Sequence, residues 1–174
     1  MSSQSPQTVL DLIGDGLFQL SYITDDFERG LRELKATVGG SAFMTLDQSH
    51  FEDLVFRGEP MGRSAMTAAI AMIGHKTVEL VQRTTTGPYS DASRGSGLLE
   101  LHHVGVRVDD LATCRDTAAT AGLDATFTGR YLDTQFFYAD CRELLGHWVE
   151  FIQFGPESAR LIDEPRPAPR DLRA

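Results

Sequence analysis

The sequence has few cysteines, few basic residues and no long apolar run, and each shortage excludes a class of protein. Its two cysteines, Cys114 and Cys141, do not form a CxxC pair, so we expect a reduced, cytoplasmic setting without a disulfide framework. The 16 basic residues face 25 acidic ones, and the net charge of −9 disfavours nucleic acid or an anionic membrane as a partner. No apolar run approaches the roughly 20 residues of a membrane-spanning helix, and residues 1–8 lack the pattern of a signal peptide.

What remains is the composition of an ordinary globular protein. Apolar residues make up 41% of the 174 residues, and charged residues make up 24%. A chain of this length buries roughly 70% of its unfolded surface, so it needs no covalent cross-links. The length fits one compact unit or two small, closely packed ones.

An internal duplication is the most informative feature of the chain. Residues 19–27 read QLSYITDDF, and residues 103–111, 84 positions later, read HVGVRVDDL. Each is a strand-like run that ends in two aspartates, which can cap the helical stretch behind them. Each copy closes with a Gly-His pair and a carboxylate in an apolar strand, GHKTVEL from Gly74 and GHWVEF from Gly146. The two copies therefore offer four polar residues at matching positions: Gln19, Glu79, His103 and Glu150.

The order strand, helix, strand, strand, strand is predicted twice. Residues 1–16 are a leader in which 9–16 fits a short helix or turn, 17–82 are the first module, and 99–154 are the second. Between them, the Thr-, Ser- and Gly-rich segment 83–98 reads as a linker or lid loop, and the proline-rich tail 155–174 is expected to be extended. The predicted strands are 18–24, a strand within 43–57, 65–73, 77–82, 101–108, 125–128, 135–139 and 148–154, and the predicted helices are 27–38 and 111–121.

Strand alternation decides which way the four polar residues point. In strand 101–108, Val104, Val106 and Val108 form an apolar face suited to packing on a helix, so His103 lies on the opposite face. The same argument places Gln19 opposite Leu20 and Tyr22. A curled sheet with helices on its outer side would therefore carry both residues on its concave face.

Glu79 and Glu150 interrupt largely apolar strands, and a buried carboxylate is costly unless it is paired or binds a metal. One imidazole, two carboxylates and an amide oxygen form a ligand set that suits Zn, Ni, Co, Mn or Fe(II). Taken singly, each residue also has an ordinary structural explanation, such as a core histidine or an edge-strand glutamate. His75 and His147 either compete as ligands or only mark the turns before the last strands.

The chain resembles the vicinal oxygen chelate superfamily, which includes glyoxalase I, bleomycin-resistance proteins, methylmalonyl-CoA epimerase and extradiol dioxygenases. The resemblance covers roughly residues 17–154 and depends on the doubled βαβββ pattern, with LHHVGVRVDDL from Leu101 and GHWVEF from Gly146 as its signatures. It implies an α+β fold of two tandem βαβββ modules, in a curled and mostly antiparallel sheet with helices outside and a concave metal or ligand cavity.

The resemblance also implies a metal site. In this superfamily the ligands come from the first and last strands of each module, at positions that correspond to Gln19, Glu79, His103 and Glu150 here. The order Gln, Glu, His, Glu is similar to that of zinc-type glyoxalase I, whereas extradiol dioxygenases need two His and one Glu for iron. Glyoxalase I binds glutathione through an Arg four residues after its first ligand. Ile23 holds that position here, and Arg107 holds the equivalent position in the second copy. Two interpretations of Arg107 are open: a residue that binds an anionic substrate group, or an ordinary exposed strand arginine.

The leading hypothesis is a divalent-metal-dependent, glyoxalase-like lyase or isomerase/epimerase that acts through a metal-stabilised enolate on a small substrate with vicinal oxygens. Glu150 is the predicted general base and Glu79 the alternative. Predicted substrate-binding residues are Arg107, Trp148, Tyr22 and Phe137. A metal-free binding protein of the bleomycin-resistance type is the second hypothesis, and an iron extradiol dioxygenase is the third. We expect a small-molecule substrate and a homodimer, with no nucleic-acid or membrane partner.

Overall fold

The computed structural model describes residues 9–38, 43–62, 66–74, 76–90 and 97–163. These residues form five α-helices, ten strands and two short 3-10 turns, at Gln48–His50 and Pro88–Ser90. The helices are α1 (Val9–Gly16), α2 (Phe27–Val38), α3 (Leu111–Thr120), α4 (Arg142–Leu145) and α5 (Pro156–Asp163). The strands are β1 (Leu17–Thr24), β2 (Met44–Thr45), β3 (Phe51–Phe56), β4 (Glu59–Pro60), β5 (Ala68–Ile73), β6 (Lys76–Gln82), β7 (Glu100–Arg107), β8 (Ala125–Tyr131), β9 (Thr134–Ala139) and β10 (Trp148–Gln153).

The described strands belong to one curled sheet in the order β2-β5-β6-β1-β7-β10-β9-β8-β3-β4. The first strands of the two modules, β1 and β7, lie side by side and antiparallel in the middle. Each is flanked by the last strand of its own module in parallel, β6 beside β1 and β10 beside β7. The remaining pairings are antiparallel. This confirms the predicted α+β fold and shows that the two modules pair within one chain.

Helices α2 and α3 cover the convex side of the sheet, as the alternation of the strands predicts. On the first module, Leu34 of α2 packs against Val78 and Leu80 of β6. On the second module, Cys114 and Ala118 of α3 are buried with a group of strand residues, which are Val104, Val106, Phe137, Ala139, Val149 and Phe151. The concave side holds a separate core that includes several aromatic residues, which are Phe18, Tyr89, Phe127, Phe136, Tyr138 and Trp148. The polar residues of interest lie on this second side.

The segment 43–57, predicted to contain one strand, forms two strands, and these lie near opposite ends of the sheet. β2 pairs with β5 of its own module, whereas β3 pairs with β8 of the second module. The 3-10 turn between them is capped by Asp47, whose carboxylate accepts a hydrogen bond from the Ser49 amide. A tight turn at Arg57 and Gly58, both at positive φ, then forms the β3–β4 hairpin. The prediction was wrong about the number of strands because the turn at Asp47 redirects the chain.

The start of the tail is helical, which corrects the prediction of an extended segment. Pro156 opens α5, where the missing amide hydrogen of proline costs nothing. The Asp133 carboxylate accepts hydrogen bonds from the amides of Glu157 and Ser158 and thereby caps this helix. Residues 164–174 of the tail, 1–8 of the leader and 91–96 of the linker lie outside the described residues.

None of the helices in the described ranges is both long enough and apolar enough to span a membrane.

Candidate functional site

Four side chains converge on the concave face at the centre of the sheet, and we call them the central cluster: Gln19, Glu79, His103 and Glu150. Nε2 of His103 lies 3.2 Å from Oε2 of Glu150 and 3.3 Å from Oε2 of Glu79. The amide Nε2 of Gln19 lies 3.3 Å from the same imidazole nitrogen. His103 is fully buried, and the other three are at most 7% exposed. The structure thus brings together the four residues that the duplication placed at matching positions.

Strand register explains why the four meet. Gly105 of β7 pairs with Gln19 on one side and with Glu150 on the other, so three central strands contribute at one level. A side chain at position 105 would collide with the site, because an added Cβ would lie 2.7 Å from Cβ of Gln19. Ser21 lies one pleat further along β1, opposite both His103 and Glu79. The glycine therefore makes room in which Gln19 and Glu150 approach His103.

Ser21 and Thr77 anchor the first-module half of the cluster. Ser21 Oγ donates a 2.6 Å hydrogen bond to Oε2 of Glu79, and Gln19 Nε2 lies 3.4 Å from the same oxygen. Thr77 Oγ1 donates to Oε1 of Gln19 over 3.0 Å. The Gln19 amide therefore presents its nitrogen to the cluster and its oxygen to Thr77. Ser21 shares a strand face with Gln19, and Thr77 shares one with Glu79, but the sequence analysis predicted no role for either residue.

His102 joins His103 on the concave side, although neighbouring strand residues normally point to opposite faces. The pairing of β1 with β7 shifts between Ser21–His103 and Tyr22–Leu101, which leaves His102 as an extra residue in a bulge. Its Nδ1 lies 2.9 Å from Nδ1 of His103. Sequence reasoning missed this residue, and the double histidine in the motif is the only signal that could have found it.

Tyr138 and Tyr89 complete the surroundings of the cluster. The Tyr138 hydroxyl lies 3.5 Å from Nε2 of His103 and 2.9 Å from the Tyr89 hydroxyl. Tyr138 pairs with Glu150 across β9 and β10, so it follows from alternation once that register is known. Tyr89 comes from the segment predicted as a lid loop, where both Pro88 and Tyr89 are buried. The part of the predicted lid that the structure describes thus packs on the site.

The predicted substrate-binding aromatics divide between the two faces. Trp148 lies on the concave side and is 1% exposed, and its indole Nε1 has no hydrogen-bond partner among the described residues. Phe137 lies on the helix-covered side, where its ring stacks on Phe151 at 4.9 Å. Tyr22 packs near α2 on that same side. Neither Phe137 nor Tyr22 therefore faces the central cluster. Side chains alternate between the two faces of a strand, and these two occupy positions that point to the helix-covered face.

Arg107 forms an ion pair with helix α5, which was not predicted from the sequence. Its guanidinium donates two hydrogen bonds to the Asp163 carboxylate of α5, of 2.6 and 3.0 Å, and lies over the Phe154 ring. Ile23 is buried in the concave-side core. His147 donates from Nδ1 to the Trp148 carbonyl oxygen over 2.8 Å, and His75 lies outside the described residues.

The charges in the cluster depend on one another. Burial disfavours the protonated form of His103, but hydrogen bonds and charge from Glu150 and Glu79 outweigh it and raise its pKa from 6.5 to about 9. Burial, followed by the neighbouring His103, lowers the pKa of His102 to about 3. Burial also raises the pKa of Glu150 above the ordinary glutamate value. The pKa values of Tyr89 and Tyr138 rise as well, through burial and the nearby carboxylates.

The chemistry of these donors fits a divalent metal ion. Ligand atoms about 2.1 Å from an ion are separated by roughly 3.0–3.4 Å in octahedral or tetrahedral geometry, and the two His103–Glu distances are 3.2 and 3.3 Å. In the described part of the chain, no group of three or more His, Cys, Asp or Glu side chains is arranged to hold a metal ion, so binding would require these side chains to exchange their direct contacts for bonds to the ion. Gln19 could offer its oxygen after the amide rotates, since the Thr77 hydroxyl can either donate or accept.

Comparison with known proteins supports the fold and leaves the reaction open. No protein-family model and no curated protein matches the sequence. Among solved structures, methylmalonyl-CoA epimerase from Mycobacterium tuberculosis is similar, with 10% identity and a TM-score of 0.60 over 90% of this chain and 97% of that chain.

A Streptomyces coelicolor methylmalonyl-CoA epimerase variant, in complex with 2-nitronate-propionyl-CoA, is 11% identical with a TM-score of 0.60, over 80% of this chain and 97% of that one. A hypothetical protein from Bacillus halodurans is 14% identical with a TM-score of 0.54, over 80% and 94%. These neighbours are members of the vicinal oxygen chelate superfamily. The chain therefore has the vicinal oxygen chelate fold.

Proposed function

We propose that the chain is a divalent-metal-dependent enzyme of the lyase or isomerase/epimerase type, which acts through an enolate on a small substrate with two neighbouring oxygen atoms. The observation that carries the proposal is the meeting of one imidazole, two carboxylates and one amide in a buried position on the concave face. Methylmalonyl-CoA epimerases among the structures of the same fold support a reaction of the isomerase type. Zn, Ni, Co, Mn and Fe(II) all suit such a ligand set.

Glu150 is the general base in this proposal. Glu79 is held by the Ser21 hydroxyl at 2.6 Å and by the Gln19 amide, so its carboxylate is restrained. Glu150 contacts His103, and burial raises its pKa above the ordinary glutamate value, which makes its carboxylate the stronger base. A carboxylate of this kind can take a proton from one carbon and return it to the neighbouring carbon. Epimerisation at a single carbon would also need a proton donor on the opposite face, and Glu79, on the other side of His103, would be that group.

Neutral donors would orient the substrate. A metal ion held by His103, Gln19 and Glu79 would act as a Lewis acid for the negative charge that develops on the substrate oxygens, which leaves Glu150 to act as the base. The Tyr138 hydroxyl, 3.5 Å from His103 Nε2, is placed to donate to one of these oxygens. The Trp148 indole N–H is buried without a partner among the described residues, which suits a second substrate oxygen.

The substrate in this proposal lacks a large anionic group that Arg107 would bind. Asp163 already occupies the Arg107 guanidinium with two hydrogen bonds, and Ile23 offers no charge to glutathione. The acidic balance of the chain disfavours the phosphates of coenzyme A in the same way. A homodimer stays a prediction, which light scattering on the purified protein would test.

Solvent-exchange measurements test the proposed reaction. Protein purified without chelator is assayed for bound metal and then incubated in D2O with 2-hydroxyketones, 2-ketoacids and methylmalonyl-CoA, while NMR follows deuterium uptake. We expect Glu150→Gln to lower the exchange rate by roughly 100-fold or more. Glu143→Gln, on the exposed surface of α4, is the matched control and should change nothing. Full exchange in Glu150→Gln would remove that residue from the mechanism.

A metal-free binding protein is the second candidate, and one observation favours it. The polar groups of the cluster already satisfy one another, since His103 contacts both carboxylates and Ser21 donates to Glu79. A protein that only sequesters an apolar molecule needs no further ligand there. A metal site built from these ligands would bind its ion tightly and keep it through purification. A metal content of less than about a tenth of an equivalent, with no increase on adding divalent ions, would therefore favour the metal-free binding protein.

A further inference from the structure

We propose that His102 is a positioning residue of the central cluster, which holds one His103 proton on Nδ1, so that Nε2 is the nitrogen that gives up its proton and binds. This inference rests on the proposed function, since Nε2 of His103 is the atom that would hold the metal ion. It depends on a chain of three groups: the His103 ring, the His102 ring and the backbone carbonyl of Pro88.

The carbonyl at the end of this chain sets the direction of its hydrogen bonds. Nε2 of His102 lies 3.2 Å from the Pro88 oxygen, and a carbonyl oxygen only accepts, so this nitrogen carries a hydrogen. The two Nδ1 atoms lie 2.9 Å apart, a spacing at which one hydrogen is shared between them. Either His103 donates to a neutral His102, or a doubly protonated His102 donates to His103.

The surroundings of the two rings decide between these alternatives. The His102 ring is 2% exposed, stacks on Tyr89 at 4.8 Å, and has a carbonyl and an imidazole as its hydrogen-bond partners. A cation in such a place is costly because no carboxylate is among these partners. His103 contacts both Glu79 and Glu150, so any additional proton resides there. His102 is therefore the acceptor, and Nδ1 of His103 is the donor.

This arrangement produces the form of His103 that a metal requires. A ligating histidine usually donates its second ring N–H to a partner that fixes its tautomer and orientation, and loss of that partner weakens metal binding. The partner here is another imidazole, brought to the concave side by the bulge in β7. The acceptor for His102 is the backbone carbonyl of Pro88, so the turn Pro88–Ser90, in which Pro88 and Tyr89 are buried, takes part in setting the tautomer.

Two substitutions separate this role from simple packing. His102→Phe keeps a ring to stack on Tyr89 but removes the acceptor, whereas His102→Asn loses the ring and retains an amide oxygen opposite Nδ1 of His103. We expect the Co²⁺ dissociation constant, measured by chelator competition on protein shown to be folded by circular dichroism, to rise roughly 10- to 100-fold in the Phe variant and less than about fivefold in the Asn variant. The proposal would be overturned if the Phe variant bound Co²⁺ more tightly than the Asn variant, or if both variants changed by the same factor.

The tautomers themselves can be read without any metal. Long-range ¹H–¹⁵N spectra of the metal-free protein should show His102 with a hydrogen on Nε2 and an unprotonated Nδ1. A hydrogen on Nδ1 of His102 contradicts the inference, whatever the metal affinity. If the wild-type protein binds no Co²⁺ while His102 shows the expected tautomer, the proposed function fails and the positioning role of His102 stands.

Discussion

The pH dependence of the metal-free protein follows from the position of His103. Its pKa of about 9 in the folded chain compares with about 6.5 in an unfolded one, a difference worth about 3 kcal/mol of folding free energy. Because the folded-state pKa is the higher one, this stabilisation is fully present below pH 6.5. It is lost progressively as the pH rises from 6.5 through 9. Tyr89 and Tyr138, whose pKa values are raised above 10, stay protonated in this window.

Urea denaturation in the presence of a chelator, at several pH values from 6 to 9.5, measures this contribution. The matched variant is His103→Gln, which retains a polar side chain without a titrating proton. The difference in unfolding free energy between wild type and variant should shrink by about 3 kcal/mol across the window. An NMR titration of His103 gives the pKa directly. A difference that stays constant with pH, or a His103 that titrates below pH 7, would refute the idea that Glu79 and Glu150 hold this ring protonated.

Two further predictions concern the same cluster. Metal binding at pH 7.5 should release about one proton per ion, because His103 must lose its proton to bind. A histidine of ordinary pKa would release only roughly 0.1 proton at this pH. Calorimetry in buffers of different ionisation enthalpy counts the released protons, and a value near 0.1 would contradict the raised pKa of His103. Gly105→Ala should destabilise the protein by about 1–3 kcal/mol and weaken metal binding, since the new methyl would lie 2.7 Å from Cβ of Gln19. Gly62→Ala, where an added Cβ meets nothing within 4 Å, is its control, and an unchanged Gly105→Ala variant would show that the Gln19 position is unimportant.

Local sequence was sufficient for the modules and for the faces of their central strands. Period-two alternation put Gln19 and His103 opposite the helix-facing residues, and the structure has them there. The two aspartates after the first strands also act as the pattern predicts, since Asp110 caps α3 and Asp26 accepts from the Arg29 amide in α2. These features depend on neighbours within a few residues along the chain, so a linear pattern can encode them.

Other parts of the site depend on strands that meet only after the sheet has curled. Phe137 was predicted to face the substrate, yet Tyr138 is the residue on the concave side, because the phase of β9 is set by its register with β10. The pairing of β3 with β8 joins residues of different modules, and no local signal indicates it. The helix α5, which occupies Arg107 through Asp163, was hidden by the surrounding prolines.

The sequence by itself determined the doubled module and the four polar positions, because repetition and alternation are properties of a linear pattern. Only the tertiary structure decided that these four residues share one place, and that Tyr138, Tyr89 and His102 surround them. The physical reason is clearest at His102. A bulge changes the face of a strand residue through its pairing with another strand, so the role of that side chain is set by β1 and Pro88 rather than by its neighbours in sequence.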